Sequence, residues 1–159
     1  MTQPSITVIC NSGATPKDKA ALAETIRQAF ANKNQEVNVV TSSDGDDFMW
    51  FCERQVEKVK QTGGIIVAAG GDGTVNSIAG LCYQHQVTLG IIPLGTFNYF
   101  AREHGIPTEI AGAIEIIAAR HSKKVAVGIV QDRVFLNNAS FGLYTKLIRQ
   151  REQASSRFG

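Results

Sequence analysis

The chain has little cysteine and almost no net charge, and each scarcity excludes something. Three cysteines, Cys10, Cys52 and Cys82, are an odd number at wide spacings with no CxxC, which argues against a disulfide framework or a zinc site. Each sits in an apolar pattern and reads as a small buried hydrophobe. A net charge of +2 with no basic stripe argues against nucleic acid as a partner. Arg149, Arg151 and Arg157 near the C-terminus read as a solvated helix face. No apolar run approaches the length of a membrane span, and the N-terminus lacks the layout of a signal peptide. A cytoplasmic protein is expected, able to visit the inner membrane surface. Neither an internal repeat nor a low-complexity segment occurs.

What is present is ordinary globular composition, 159 residues with 43% apolar and 19% charged. Strand and helix patterns alternate four times. Residues 5–10, 36–41, 65–69 and 87–92 are β-branched apolar runs. Between them, residues 16–33 and 47–61 carry apolar residues at helical spacing, with Pro16 suited to a first turn and Gly63 and Gly64 closing the second helix. A third helix carries Val75, Ile78, Ala79 and Cys82. Residues 93–107 read as a loop and short helix, and 109–120 as a further helix. This alternation predicts a three-layer α/β/α fold with a parallel sheet, whose ligands sit beyond the carboxyl ends of the strands.

The pattern changes after Ser122. Residues 123–130 and 133–138 read as an antiparallel hairpin, and 141–153 as the start of a helix. Two units are expected: an α/β domain over 1–122 and the opening of a β-rich one over 123–159. The chain stops inside a charged helical stretch without a cap, which suggests a boundary set within a longer protein. Val127, Ile129, Phe135, Leu136 and Leu147 would then leave apolar surface exposed, and self-association is expected.

The chain is organised around residues 65–76, IIVAAGGDGTVN. A buried strand ends in Gly70, Gly71, Asp72 and Gly73, and a helix follows. Such a turn lets backbone approach a ligand, and the helix start favours an anion. A Gly-Gly-x-Gly turn also arises from geometry alone. Thr74 has a side chain suited to an N-cap. Asp72 would repel phosphate unless a cation or a proton intervenes.

GGDGTVN resembles the signature shared by diacylglycerol kinases, sphingosine and ceramide kinases, and NAD kinases. The second motif, PLGTFNYFAR from Pro93 to Arg102, resembles the segment Pro-Leu-Gly-Thr-x-Asn-Asp-x-Ala-Arg of the lipid kinases and not the Gly-rich segment of NAD kinases. Residues 137–142, NNASFG, resemble the region where that family enters its second domain. The resemblance covers nearly the whole chain. It implies ATP and Mg2+ as cofactors and a lipid hydroxyl at a membrane surface as acceptor. It also implies phosphate contacts from Gly70, Gly71, Asp72, Gly73, Thr74, Val75 and Asn76. Thr41 and Thr96 match nucleotide-contacting threonines, and Asn11 and Gly13 line the nucleotide cleft. Lys17 would neutralise phosphate or simply sit at a surface helix start. Asp72 would act on magnesium through water.

The resemblance also implies that the general base lies in the absent part of the second domain, so no catalytic residue is assigned and this piece alone is expected to be nearly inactive. The family's Asn-Asp pair is Asn98-Tyr99 here, which removes a carboxylate that would organise magnesium-bound water. Asp44, Asp46 and Asp47 read as solvated loop residues, and His85, His104 and His121 as surface residues without metal-ligand spacing. A non-catalytic nucleotide-binding or interaction module is the alternative from a different class, and an NAD kinase is a further one.

Overall fold

The computed structural model describes residues 5–11, 16–42 and 47–137. Four strands form one parallel sheet: β1 (Ile6–Asn11), β2 (Val37–Thr41), β3 (Ile65–Gly70) and β4 (Thr88–Pro93). Their order in space is β2-β1-β3-β4. The chain therefore moves outward from β1 to β2, crosses back over β1 to β3, and continues outward to β4. The strand order reverses between β1 and β3, and an open α/β sheet leaves a crevice at the carboxyl end of such a switch.

The helices cover both faces, as a parallel sheet requires. On one face α1 (Pro16–Ala31) and α5 (Ile110–Ala118) pack through Ala23, Ile26, Phe30, Ala113, Ile114 and Ile117 against Ile6, Val8, Cys10 and Val67. On the other, α2 (Phe48–Thr62) and α3 (Asp72–His85) pack through Cys52, Val56, Val59, Ile78 and Cys82 against Ile9, Ile66 and Ala68. A short helix α4 (Tyr99–Glu103) adds Phe100 to this second layer. The alternation of Ile6, Val8 and Cys10 with Ile9 between the two layers is the period-2 pleat read directly from the sequence.

Helix ends follow local chemistry. Asp47 caps α2: its carboxylate accepts from the backbone N–H of Met49 at 2.9 Å and of Trp50 at 3.2 Å. Asp47 was expected to be a solvated loop residue and is instead an N-cap, a role worth about 1 kcal/mol. Gly63 ends the helix in the left-handed region, φ 66°, as the double glycine suggested. Asp44 and Asp46 lie outside the described residues. The three cysteines are free and buried, as expected. Burial pushes the Cys52 and Cys82 thiols up to about 12, with a nearby Cys52 adding to the rise at Cys82, and raises Cys10 as well.

The hairpin is present but shorter than the β-rich pattern implied. Only β5 (Gly128–Val130) and β6 (Arg133–Phe135) pair, antiparallel, as a separate two-stranded sheet. Residues 123–127 find no partner strand among the described residues, so β-propensity alone does not order them as a strand. The exposed apolar surface expected here is also reduced. Ile129 is 49% exposed, but Val134 is buried and Leu136 packs on the α2/α3 layer. Leu147 and the helical stretch at 141–153 lie outside the described residues.

Candidate active site

The parallel register aligns the strand ends. Asn11 is opposite Gly70, Gly70 is opposite Pro93, and Thr41 is opposite Cys10. The four strands thus end along one edge of the sheet, and the switch-point crevice lies beyond Asn11 and Gly70.

The glycine turn is built by close approach. A Cβ on Gly70 would lie 2.7 Å from Thr74 Cβ and 3.0 Å from the Asn11 carbonyl oxygen, so no side chain fits there. Its carbonyl accepts from the Leu94 N–H at 2.9 Å, which fixes the loop after β4 to the end of β3. Gly71 is the N-cap of α3, and no side chain caps it. The Val75 N–H donates to the Gly71 carbonyl at 3.0 Å, the first bond of the helix. The N–H groups of Asp72, Gly73 and Thr74 therefore precede the intrahelical ladder and face outward from the helix start. With the helix dipole, that is an anion-binding arrangement.

Thr74 is not the N-cap expected of it. It is the third residue of α3, and its hydroxyl oxygen accepts from Asn11 Nδ2 at 3.1 Å. This bond bridges the two strand ends at the switch point. Asn11 is thus brought to the glycine turn by the fold.

The second motif packs directly on the first. A Cβ on Gly95 would sit 2.7 Å from the Gly71 Cα and 3.0 Å from Asn98 Oδ1. Asn98 is only 6% exposed and lies in the left-handed region at φ 51°, a conformation asparagine tolerates. Its side-chain amide clips the loop shut: Gly95 N–H donates to Oδ1 at 2.9 Å and Nδ2 donates to the Gly95 carbonyl at 2.7 Å. Sequence reasoning assigned no role to Asn98 or Gly95. The signal available was an asparagine three residues after a glycine in a Pro-Gly-punctuated loop.

The remaining residues divide. Thr96 is exposed in this loop. Thr41 is half-buried at the same sheet edge but two strands from β3, about 10 Å at ordinary strand spacing. Gly13 lies outside the described residues, and Lys17 is exposed in the first turn of α1. Val75 is buried in the core. Asn76 uses its amide on β6, accepting from the Leu136 N–H at 3.0 Å and donating to the Val134 carbonyl at 3.4 Å. Tyr99 is 59% exposed and stacks on Phe97, ring centroids 5.4 Å apart. His85 approaches Glu53 at 3.9 Å, and the His104 ring lies against Phe100.

No described hydrogen bond or ion pair engages the Asp72 carboxylate in the first turn of α3. Among the described residues no group of three or more His, Cys, Asp and Glu gathers as a metal cage. Nor is any helix among them long and apolar enough to cross a membrane.

Residues 5–130 match the family model described as the diacylglycerol kinase catalytic domain. A diacylglycerol kinase from Staphylococcus haemolyticus (strain JCSC1435) is 44% identical over 85 residues, which cover 52% of this chain and 26% of that protein. One from Staphylococcus aureus (strain JH9) is 41% identical over 85 residues, covering 52% of this chain and 27% of that protein. The crystal structure of a diacylglycerol kinase from Bacillus anthracis str. Sterne superposes with a TM-score of 0.68 at 29% identity, covering 84% of this chain and 46% of that one. The match therefore spans about a quarter of these curated relatives and about half of the solved structure. With the glycine turn and the clipped second loop both inside the matched stretch, the chain belongs to the diacylglycerol kinase catalytic domain family.

Proposed function

We propose that this chain is the ATP-binding part of a lipid kinase that transfers the ATP γ-phosphate to a lipid hydroxyl of the diacylglycerol kind at a membrane surface. The observation that carries the reading is the uncapped start of α3 at the switch-point crevice, walled by Asn11 and by the Gly95 loop. Phosphoryl transfer needs in-line positioning, neutralised charge and a base for the acceptor. The N–H groups of Asp72, Gly73 and Thr74 would bind phosphate oxygens, while the Asn11–Thr74 bond holds the helix start in place. Thr41, farther along the edge, would meet the nucleoside end of an extended nucleotide, and Thr96 lies on the opposite side. The donor set fits a magnesium ion held through water and phosphate, since Mg2+ commonly binds one or two carboxylates and keeps several waters. Asp72 is the residue that would hold such a water, and the ion would supply charge neutralisation at the phosphates.

No acceptor base is assigned within this chain, so the piece by itself is expected to bind nucleotide and to phosphorylate little. In this reading residues 1–122 form the nucleotide domain and the hairpin opens a second one. The exposed Tyr99, where the resembling lipid kinases carry a carboxylate, keeps a non-catalytic nucleotide module as the second reading.

Calorimetric titration of ATP, with and without magnesium, tests the proposal. Binding that Gly71→Val abolishes and Asp72→Ala makes independent of magnesium is the expected result. Absence of binding at millimolar ATP, or full binding by Gly71→Val, would refute the phosphate site. Offering diacylglycerol and NAD as acceptors separates the lipid kinase from its relatives and from the module.

A further inference from the structure

We infer that Asn76 is a positioning residue that fastens the second sheet to the phosphate-facing helix, and not a ligand of the nucleotide. The inference rests on the reading that the start of α3 takes the phosphates.

The Asn76 amide meets β6 and the residue that follows it at two backbone groups two residues apart, the Val134 carbonyl and the Leu136 N–H. In an extended strand these two groups point to the same side. In a parallel ladder, one residue of the neighbouring strand bonds a carbonyl and the N–H two positions further on. The side-chain amide of Asn76 makes the same pair of bonds and so stands in for one residue of a missing third strand. One N–H and one oxygen lone pair are thereby held by backbone groups of the hairpin, which fixes the orientation of the amide toward β6.

The rest of the contact is shaped to match. Gly80 is four residues on, on the same face of α3. A Cβ there would lie at ordinary contact distance from Val134 Cβ, 3.9 Å, so β6 runs along this same face of the helix. Val134 is buried in this contact, and Leu136 continues onto the α2/α3 layer. A two-stranded hairpin is marginal alone, and an open edge leaves backbone groups unpaired. Asn76 relieves both, about one and a half helical turns from the Gly71 N-cap. The first strand pair of the second sheet is thus held at a fixed distance from the phosphate turn.

Amide hydrogen exchange on the 159-residue chain reads the contact without any nucleotide. Asn76→Ala is expected to speed exchange at Leu136 by about fivefold or more, the scale of one lost hydrogen bond. Asn76→Asp, which keeps the acceptor and loses the donor, is expected to fall between. Exchange at Leu136 unchanged in Asn76→Ala overturns the proposal. ATP titration gives the second arm. Val134→Asp dislodges β6 while leaving the Asn76 amide in place, and it should reproduce whatever Asn76→Ala does to ATP affinity. Loss of ATP binding in Asn76→Ala alone, with Val134→Asp binding like wild type, overturns the proposal and makes the amide a nucleotide ligand. A wild type that binds no ATP, with the Leu136 response intact, supports the clamp and refutes only the phosphate site.

Discussion

Gly95→Ala adds a single methyl group at the point where the two motif loops touch. An ideal Cβ there would lie 2.7 Å from the Gly71 Cα and 3.0 Å from Asn98 Oδ1. The first neighbour is backbone, and it is tied in place because the Gly70 carbonyl accepts from Leu94. The second belongs to a buried amide that makes two hydrogen bonds to Gly95 itself. Neither yields by a side-chain rotation, so the loops must separate by several tenths of an ångström. Overpacking of this kind costs about 1–3 kcal/mol. Alanine recovers about 0.4–1 kcal/mol by restricting the unfolded chain. The net loss of about 1–2 kcal/mol lowers the melting temperature by about 2–8 °C for a chain of this size. Gly73→Ala is the control. Nothing lies within 4 Å of a Cβ at Gly73, and the residue is already in α3. That substitution should be neutral or stabilising by up to about 1 kcal/mol. Scanning calorimetry of both variants decides. Equal losses would show that glycine replacement as such is at fault, and a Gly95→Ala protein melting with wild type would refute the close-contact argument.

Three further outcomes follow from the same structure. Asp47→Ala removes the cap that receives the Met49 and Trp50 N–H groups and should cost about 0.5–2 kcal/mol, read as a lower denaturant midpoint without change in slope. Burial raises the Cys52 and Cys82 thiols to about 12 from 9.0, so the folded state holds them neutral where the unfolded chain ionises them. Their contribution is intact below pH 9 and is lost as pH rises towards 12, so the alkaline fall in melting temperature should be shallower in Cys82→Ala; an unchanged alkaline slope would refute this. Tyr99→Asp places a carboxylate on the exposed rim of the second loop without disturbing the core, and should make ATP affinity more dependent on magnesium; an unchanged magnesium dependence would argue against metal handling at that position.

Much of the fold was legible because local periodicity and tertiary burial agree. Ile6, Val8 and Cys10 alternate as a strand buried on both sides must, and Gly63 ends α2 where the double glycine places it. The strand order was not legible, since periodicity reports faces and not neighbours. Thr74 was misread because side-chain preference names it as a cap, whereas the glycine turn runs straight into the helix two residues earlier. Residues 123–127 have only Val125 and Val127 as strand-forming side chains and no partner among the described residues, and pairing is what makes a strand. The Asn98 clip and the bonds of Asn76, expected only as a phosphate contact, to Val134 and Leu136 escaped for a shared reason. Both rest on hydrogen bonds to backbone groups, which residue type permits but spacing does not announce.

The site itself shows why short motifs far apart in sequence carry it. Strand order places the ends of β1 and β3 side by side, and register levels Asn11 with Gly70. Once level, Gly70 must lack a side chain because Thr74 and Asn11 both close over it, and Gly95 must lack one because Gly71 lies beneath it. Two of the motif glycines are therefore explained by protein packing alone, with no ligand required. Gly71 and Gly73 are different. A Cβ at Gly71 would meet nothing closer than 3.4 Å, and one at Gly73 nothing within 4 Å, so packing does not demand glycine at either. Gly71 precedes and Gly73 carries the N–H groups at the start of α3, where a phosphate would need the backbone bare. The pattern GGDGT thus divides into a structural part and a part left open, and the open part is the argument for a ligand.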